Sequence, residues 1–292
     1  MMYGFNVRNW KSKLIGFPQE DALAYDEKRN IACVADGVTR DFSDGTMAGR
    51  NPESLFKFLN KDYPNPSPSK EAADICVSSF LRTLSLAKAN SEIFDYARTN
   101  AFMPPGFFRR DVEHTDYLGK DLAGCTAAGF WLEGSMVNWS YVADSGIAVF
   151  DSHKNIRFRT FNEGPDSEGK HFYLESVVKE LGGWKNPNAR KKIRSSFRNN
   201  PANFTSYGTL TGEEEAEKYI ERGIAEVSSG DYVLAFTDGI RSIIFPKDES
   251  RGIERINYEF ATRLVEGTRE DVKNLCQKKV KTEGSLIVLR VE

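Results

Sequence analysis

Ile31-Ala32-Cys33-Val34-Ala35-Asp36-Gly37 is five consecutive apolar residues closed by an acid and a glycine. A strand with one wet face alternates apolar and polar residues. An unbroken apolar run means that both faces are covered. Upstream, Ala22–Tyr25 is a second strand, and Asp26-Glu27-Lys28-Arg29-Asn30 between them reads as the turn of a β-hairpin. Further along, Ala123–Leu132 and Met136–Ala143 pair around Glu133-Gly134-Ser135, and Gly146–Asp151 and Ile156–Phe161 pair around Ser152-His153-Lys154-Asn155. Tyr232–Thr237 and Ser285–Val291 complete the expected strands. Helical spacing of Ala73, Val77, Phe80, Leu84 and Ala87 predicts one long helix from Ser69 to about Arg98. Other helices are expected from Pro52 to Leu59, over Phe172–Leu181, over Glu213–Arg222 with Thr211 as cap, and twice within 250–279. Strands in hairpins, with helices clustered between them, give an α+β class with antiparallel sheets. Two sheets packed on each other, with helices outside, would cover both faces of the apolar strands.

Composition narrows the function classes. The 292 residues are 28% charged and 40% hydrophobic, which excludes wholesale disorder. A net charge of −2 provides no global attraction to nucleic acid or to an anionic membrane. No apolar stretch approaches the length of a membrane span, and Met1–Lys13 lacks the apolar core of a signal peptide. Cys33, Cys76, Cys125 and Cys276 lie far apart without a CxxC pair, so a reducing cytoplasm is expected. The histidines are His114, His153 and His171, in no ligand spacing, so any metal is expected to be a hard ion on oxygen ligands. The chain is read as one domain over 1–292, monomeric, with no nucleic-acid or membrane partner.

Three apolar strands deliver an aspartate at their ends: Val34-Ala35-Asp36-Gly37, Tyr141-Val142-Ala143-Asp144-Ser145-Gly146 and Ala235-Phe236-Thr237-Asp238-Gly239. Glu20-Asp21 opens the first strand. Any one Asp-Gly is a common turn dipeptide. Several carboxylates converging from rigid strand ends repel one another, and they make sense around divalent cations such as Mg²⁺ or Mn²⁺.

In order, Gln19-Glu20-Asp21-Ala22, Val34-Ala35-Asp36-Gly37-Val38, Ala123-Gly124-Cys125-Thr126, Val142-Ala143-Asp144-Ser145 and Ser229-Gly230-Asp231 through Thr237-Asp238-Gly239 resemble the successive motifs of the type 2C metal-dependent protein phosphatases. The resemblance covers about residues 15 to 292. It implies a four-layer α-β-β-α sandwich. It also implies hydrolysis of phosphoserine and phosphothreonine in a phosphorylated protein substrate, with two Mn²⁺ or Mg²⁺ ions and room for a third. By the same resemblance Asp36 would bridge two ions with the Gly37 carbonyl on one of them, Asp238 would be a direct ligand, and Glu20 and Asp21 would hold metal-bound waters. Asp144 would lie near an additional metal position. A water or hydroxide between the ions would attack phosphorus in line.

The chain departs from the pattern in several places. Gly16 stands in the neighbourhood of the family's upstream phosphate-gripping arginine, while Arg40, three residues past Gly37, either makes a bidentate phosphate contact or pairs with Asp41 and solvent. Near the C-terminus, Lys281-Thr282-Glu283-Gly284-Ser285 puts Thr282 where the family has an aspartate, and Glu283 is the acid within reach of a metal. Val38 replaces a histidine acid found in some members, and Gly146 replaces an arginine. The stretch 163–212 corresponds to the family's variable flap. Its Ala189-Arg190-Lys191-Lys192-Ile193-Arg194 and Arg198 are either a solvated helix face or a recruiting surface for an acidic or phosphorylated partner. Two alternatives to a protein phosphatase stay open: a binding or regulatory module with a weakened metal site, and a small-molecule phosphohydrolase.

Overall fold

The structure is a computed structural model that describes residues 1–14, 16–38, 53, 56, 59, 63–100, 123–164, 170–183, 186–247 and 254–292. The expected helix at 52–59 and the irregular stretch 102–121 fall mainly or wholly outside these residues.

Ten described strands form two five-stranded antiparallel sheets. One contains β1 (Met2–Arg8), β6 (Gly146–Phe150), β7 (Ile156–Arg159), β9 (Tyr232–Phe236) and β10 (Glu283–Arg290), in the order β1-β10-β9-β6-β7. The other contains β2 (Ala22–Asp26), β3 (Ile31–Gly37), β4 (Cys125–Glu133), β5 (Met136–Val142) and β8 (Glu221–Glu226), in the order β2-β3-β4-β5-β8.

The side-chain period of two divides each strand between two layers. Ala32 and Val34 of β3 pack with Ala128, Phe130, Val149, Val233 and Ile287 in a core between the sheets. Ile31, Cys33 and Ala35 of the same strand point the other way. They pack against α2 (Pro68–Thr83) and α3 (Leu86–Thr99) through Ala73, Cys76, Phe80 and Ile93. On the far side, Phe150, Leu234, Phe236 and Val288 pack against α6 (Asp238–Ile244), α7 (Tyr258–Glu266) and α8 (Arg269–Lys279). The expected four-layer α-β-β-α sandwich is the observed architecture. The continuous apolar run of β3 is thereby explained: it has a sheet on one side and helices on the other.

Four local expectations change. The predicted helix from 69 to 98 is two helices. Leu84 takes φ 57 in the left-handed region and its N–H donates to Phe80 O, while the Ser85 side chain accepts from Lys88 N–H and starts α3. A continuous helix would have carried α3 off the sheet; the break returns it, so that Leu86, Ala89 and Ile93 bury on the same face as Phe80. The helix expected over Glu213–Arg222 is a 3₁₀ turn over Glu214–Tyr219, followed by edge strand β8. In β8 only Ala225 is buried, so the strand lacks the apolar alternation by which a strand is read. The sequence reading also had no strand at the N-terminus, where Tyr3, Phe5 and Val7 of β1 bury between Gly4, Asn6 and Arg8. Finally, the flap contains α4 (Lys170–Glu180) and a second helix, α5 (Pro187–Phe197).

Candidate metal centre

The two sheets bring their acid-bearing strand ends together. β3 ends in Asp36-Gly37, paired with Thr126 and Cys125 at the start of β4. β5 runs into Ala143, whose φ of 63 lies in the left-handed region, a strained position for a non-glycine residue, and then into Asp144. On the other sheet β9 runs through Thr237 into Asp238, the first residue of α6, and β10 begins at Glu283.

Carboxylate oxygens of Asp21, Asp36 and Glu283 lie within 4.8 Å of one another. Asp21 and Glu283 are buried, and Asp36 is half-buried at the wall of a cleft. Asp21 is oriented from the opposite sheet: Thr237 Oγ1 donates to Asp21 Oδ2 at 2.8 Å and accepts from Ser285 N–H at 2.9 Å. Glu283 is oriented by the Glu20 N–H, 3.2 and 3.0 Å from its two oxygens. One oxygen of the Glu20 carboxylate, Oε1, accepts from Tyr63 OH at 2.8 Å and from the Ser67 hydroxyl, and the Glu20 charge also acts on Glu283. Tyr63 and Ser67 were not singled out in the sequence, because two hydroxyls more than 40 residues downstream carry no motif.

Gathering acids away from water holds protons on them. Desolvation, followed by the charges of Asp21, Asp238, Asp144 and Glu283, pushes Asp36 well above the usual carboxylate range. Burial raises Asp21 to about 6, against hydrogen bonds that include the one from Thr237. Burial, then Asp21 and Glu20, raises Glu283 to about 9. Asp21 Oδ1 is buried and has no hydrogen-bond partner. Clustered oxygen donors with an unsatisfied buried oxygen fit a hard divalent cation, which would relieve both the repulsion and the missing partner.

The remaining carboxylates sit around this cluster. Half-buried Asp144 and exposed Asp238 line a cavity of about 330 Å³ together with Asp36, Gly37 and Glu283. They also line an adjoining cavity of about 950 Å³. Thr282 lines both cavities while Glu283 turns into the cluster, so the longer acid occupies the place next to Asp21 and Asp36. Arg40 lies outside the described residues.

Two close approaches hold this geometry. A Cβ on Gly239 would fall 1.8 Å from Glu283 O, so α6 can start against β10 only with glycine there. A Cβ on Gly146 would meet Arg241 Nη2 at 2.7 Å. Arg241, buried and one helical turn after Asp238, fills the space that Gly146 leaves. It donates from Nε to Asp144 O at 3.0 Å and from Nη2 to Thr160 O and Phe161 O, and it pairs with Glu254. The sequence reading did not single out Arg241; its place one turn after Asp238 is the signal that could have found it.

No protein-family model matches the sequence, and no curated protein matches it. Solved structures do match over its whole length. The Mycobacterium tuberculosis serine/threonine phosphatase PstP/Ppp is 13% identical, with a TM-score of 0.55 over 100% of this chain and 98% of that one. The catalytic domain of PstP in complex with two manganese ions is 12% identical, with a TM-score of 0.54 over 99% and 96% of the two chains. PppA of Pseudomonas aeruginosa, a regulatory component of its T6SS, is 11% identical, with a TM-score of 0.55 over 99% and 96%. The likeness establishes that the chain has the type 2C phosphatase fold.

Proposed function

We propose that this protein is a Mn²⁺- or Mg²⁺-dependent phosphatase that hydrolyses phosphoserine and phosphothreonine in a protein substrate. The observation that carries the reading is the convergence of Asp21, Asp36 and Glu283 at the joined strand ends, with Asp144 and Asp238 facing the same cleft. In this reading Asp36 and the Gly37 carbonyl, with Asp21 and Glu283 on the buried side and Asp238 on the exposed side, would hold two cations, and Asp144 would serve a further one. Cations bound there supply a water acidic enough to attack at neutral pH and positive charge for the phosphoryl oxygens. The chain's own part is positional. Thr237 aims Asp21, the Glu20 N–H aims Glu283, and Arg241 fixes the backbone of Asp144, so the donors are set before any ion arrives. The likeness to PstP, whose catalytic domain carries two manganese ions, supports two ions here. The reading takes the protein as a monomer and places it in the cytoplasm, a compartment that suits four buried free cysteines. Among the described residues no helix is long and apolar enough to cross a membrane.

The test is hydrolysis of para-nitrophenyl phosphate and of a phosphothreonine peptide with Mn²⁺, with Mg²⁺ and with EDTA. The expected outcome is metal-dependent release that Asp36→Asn and Asp238→Asn each abolish while circular dichroism stays unchanged. Turnover that persists in EDTA or in either variant refutes the site. A folded protein that binds Mn²⁺ and releases phosphate from neither substrate points to the binding-module alternative.

A further inference from the structure

Helix α5 divides its basic run by face. Lys191 and Lys192 are exposed to solvent. Ala189, Ile193 and Phe197 are buried in a small apolar cluster with Leu174, Val178 and Tyr207. Arg190 and Arg194, four apart on the helix, and Arg198, the extended residue just past its end, line the 330 Å³ cavity together with Asp36, Asp144, Asp238 and Glu283. Among the described residues, these three are the basic residues of that cavity. Arg194 and Arg198 are only 5% and 1% exposed. The segment leading into Glu20 contributes Phe17 to the cavity rather than a cation, and Gly16 sits there at φ 80.

A guanidinium stays charged when buried, and its planar donor fork matches phosphate oxygens. A cleft walled by carboxylates alone repels a phosphomonoester dianion. If cations neutralise the acids on one wall, the guanidinium groups of three arginines line the other wall toward an anion. Lysines of the same helix that point to solvent would not do this.

We propose that Arg190, Arg194 and Arg198 form the phosphate-recognition subsite of this cleft, receiving the phosphoryl group of a phosphomonoester from the flap side. This rests on the phosphatase reading and deepens it: the flap becomes the element that grips the substrate. Arg190, the least buried of the three, stands nearest solvent, and Arg194 and Arg198 stand deeper.

The experiment is calorimetric titration of inorganic phosphate into the Mn²⁺-loaded full chain, run beside steady-state kinetics on para-nitrophenyl phosphate. Arg190→Ala and Arg194→Gln are each expected to weaken phosphate binding about tenfold to a hundredfold, the range for a charge-assisted hydrogen bond. KM should rise with them. Arg190→Lys should recover part of the loss, because charge returns without the fork. Lys191→Ala, on the solvent face of the same helix, should bind phosphate within twofold of wild type. Arg190→Ala keeps the test alive should Arg194→Gln fail to fold, as judged by circular dichroism. Folded variants that bind phosphate as wild type does overturn the proposal, as does a wild-type protein that binds none. Arginine-dependent phosphate binding without turnover of any phosphomonoester would refute the phosphatase reading while leaving the subsite standing.

Discussion

Glu283→Gln removes, at nearly constant size, a carboxyl group that burial holds far above its ordinary range. Without metal, Glu283 rises from an ordinary 4.5 to about 9, through burial and then the Asp21 and Glu20 charges. At pH 7 the unfolded chain ionises it and the folded chain keeps it protonated. Folding therefore takes up a proton, and this contribution to stability, fully present below 4.5, is lost as pH rises toward about 9. At about 1.4 kcal/mol per pH unit, the loss at pH 7 is roughly 3 kcal/mol. Glutamine does not titrate and escapes it. Glutamine also offers one acceptor where the Glu20 N–H now reaches two oxygens, which costs about 1 kcal/mol. The metal-free variant should thus be more stable than wild type by about 2 kcal/mol at pH 7 and slightly less stable near pH 4. Urea unfolding in EDTA at the two pH values measures this directly. With Mn²⁺ the order should reverse, because the ion displaces the proton of the wild-type carboxyl group into solvent and binds the carboxylate. Wild-type Mn²⁺ affinity should climb with pH up to about 9, and calorimetry should record proton release. A variant that is destabilised equally at both pH values, or that binds Mn²⁺ as tightly as wild type, would refute the reasoning.

Two further outcomes follow from the packing around the cluster. Gly239→Ala should cost roughly 1–3 kcal/mol or more in urea unfolding and lower Mn²⁺ affinity, because its methyl would fall 1.8 Å from Glu283 O and push the start of β10 away; an unchanged midpoint would show that α6 and β10 are not so closely joined. Arg241→Ala should destabilise by about 3–5 kcal/mol, because it strips Asp144 O, Thr160 O and Phe161 O of their donor and leaves half-buried Glu254 with one fewer cation; a loss below about 1 kcal/mol would place its role elsewhere.

Much of this molecule was written locally. The β2–β3 hairpin, the two later hairpins, β9 and β10 follow from apolar runs bounded by turn residues, and the layered architecture follows from runs such as Ile31–Ala35 that need cover on both faces. Asp36, Asp144 and Asp238 were legible because each ends such a run. Other features depend on residues distant in sequence. Thr237 matters because Asp21, over 200 positions away, lies across the sheet junction from it. One oxygen of Glu20 is held by Tyr63 and Ser67, and Glu283 enters the cluster because the Glu20 N–H holds it there. The basic run of α5 had two readings until burial of Ala189 and Ile193 set the helix's rotation and turned Arg190 and Arg194 toward the cleft that the acids line, where Arg198, just past the helix, joins them. Local periodicity specifies which side chains share a face; which face meets which is decided only when non-local burial, summed over three apolar layers, fixes how the elements pack.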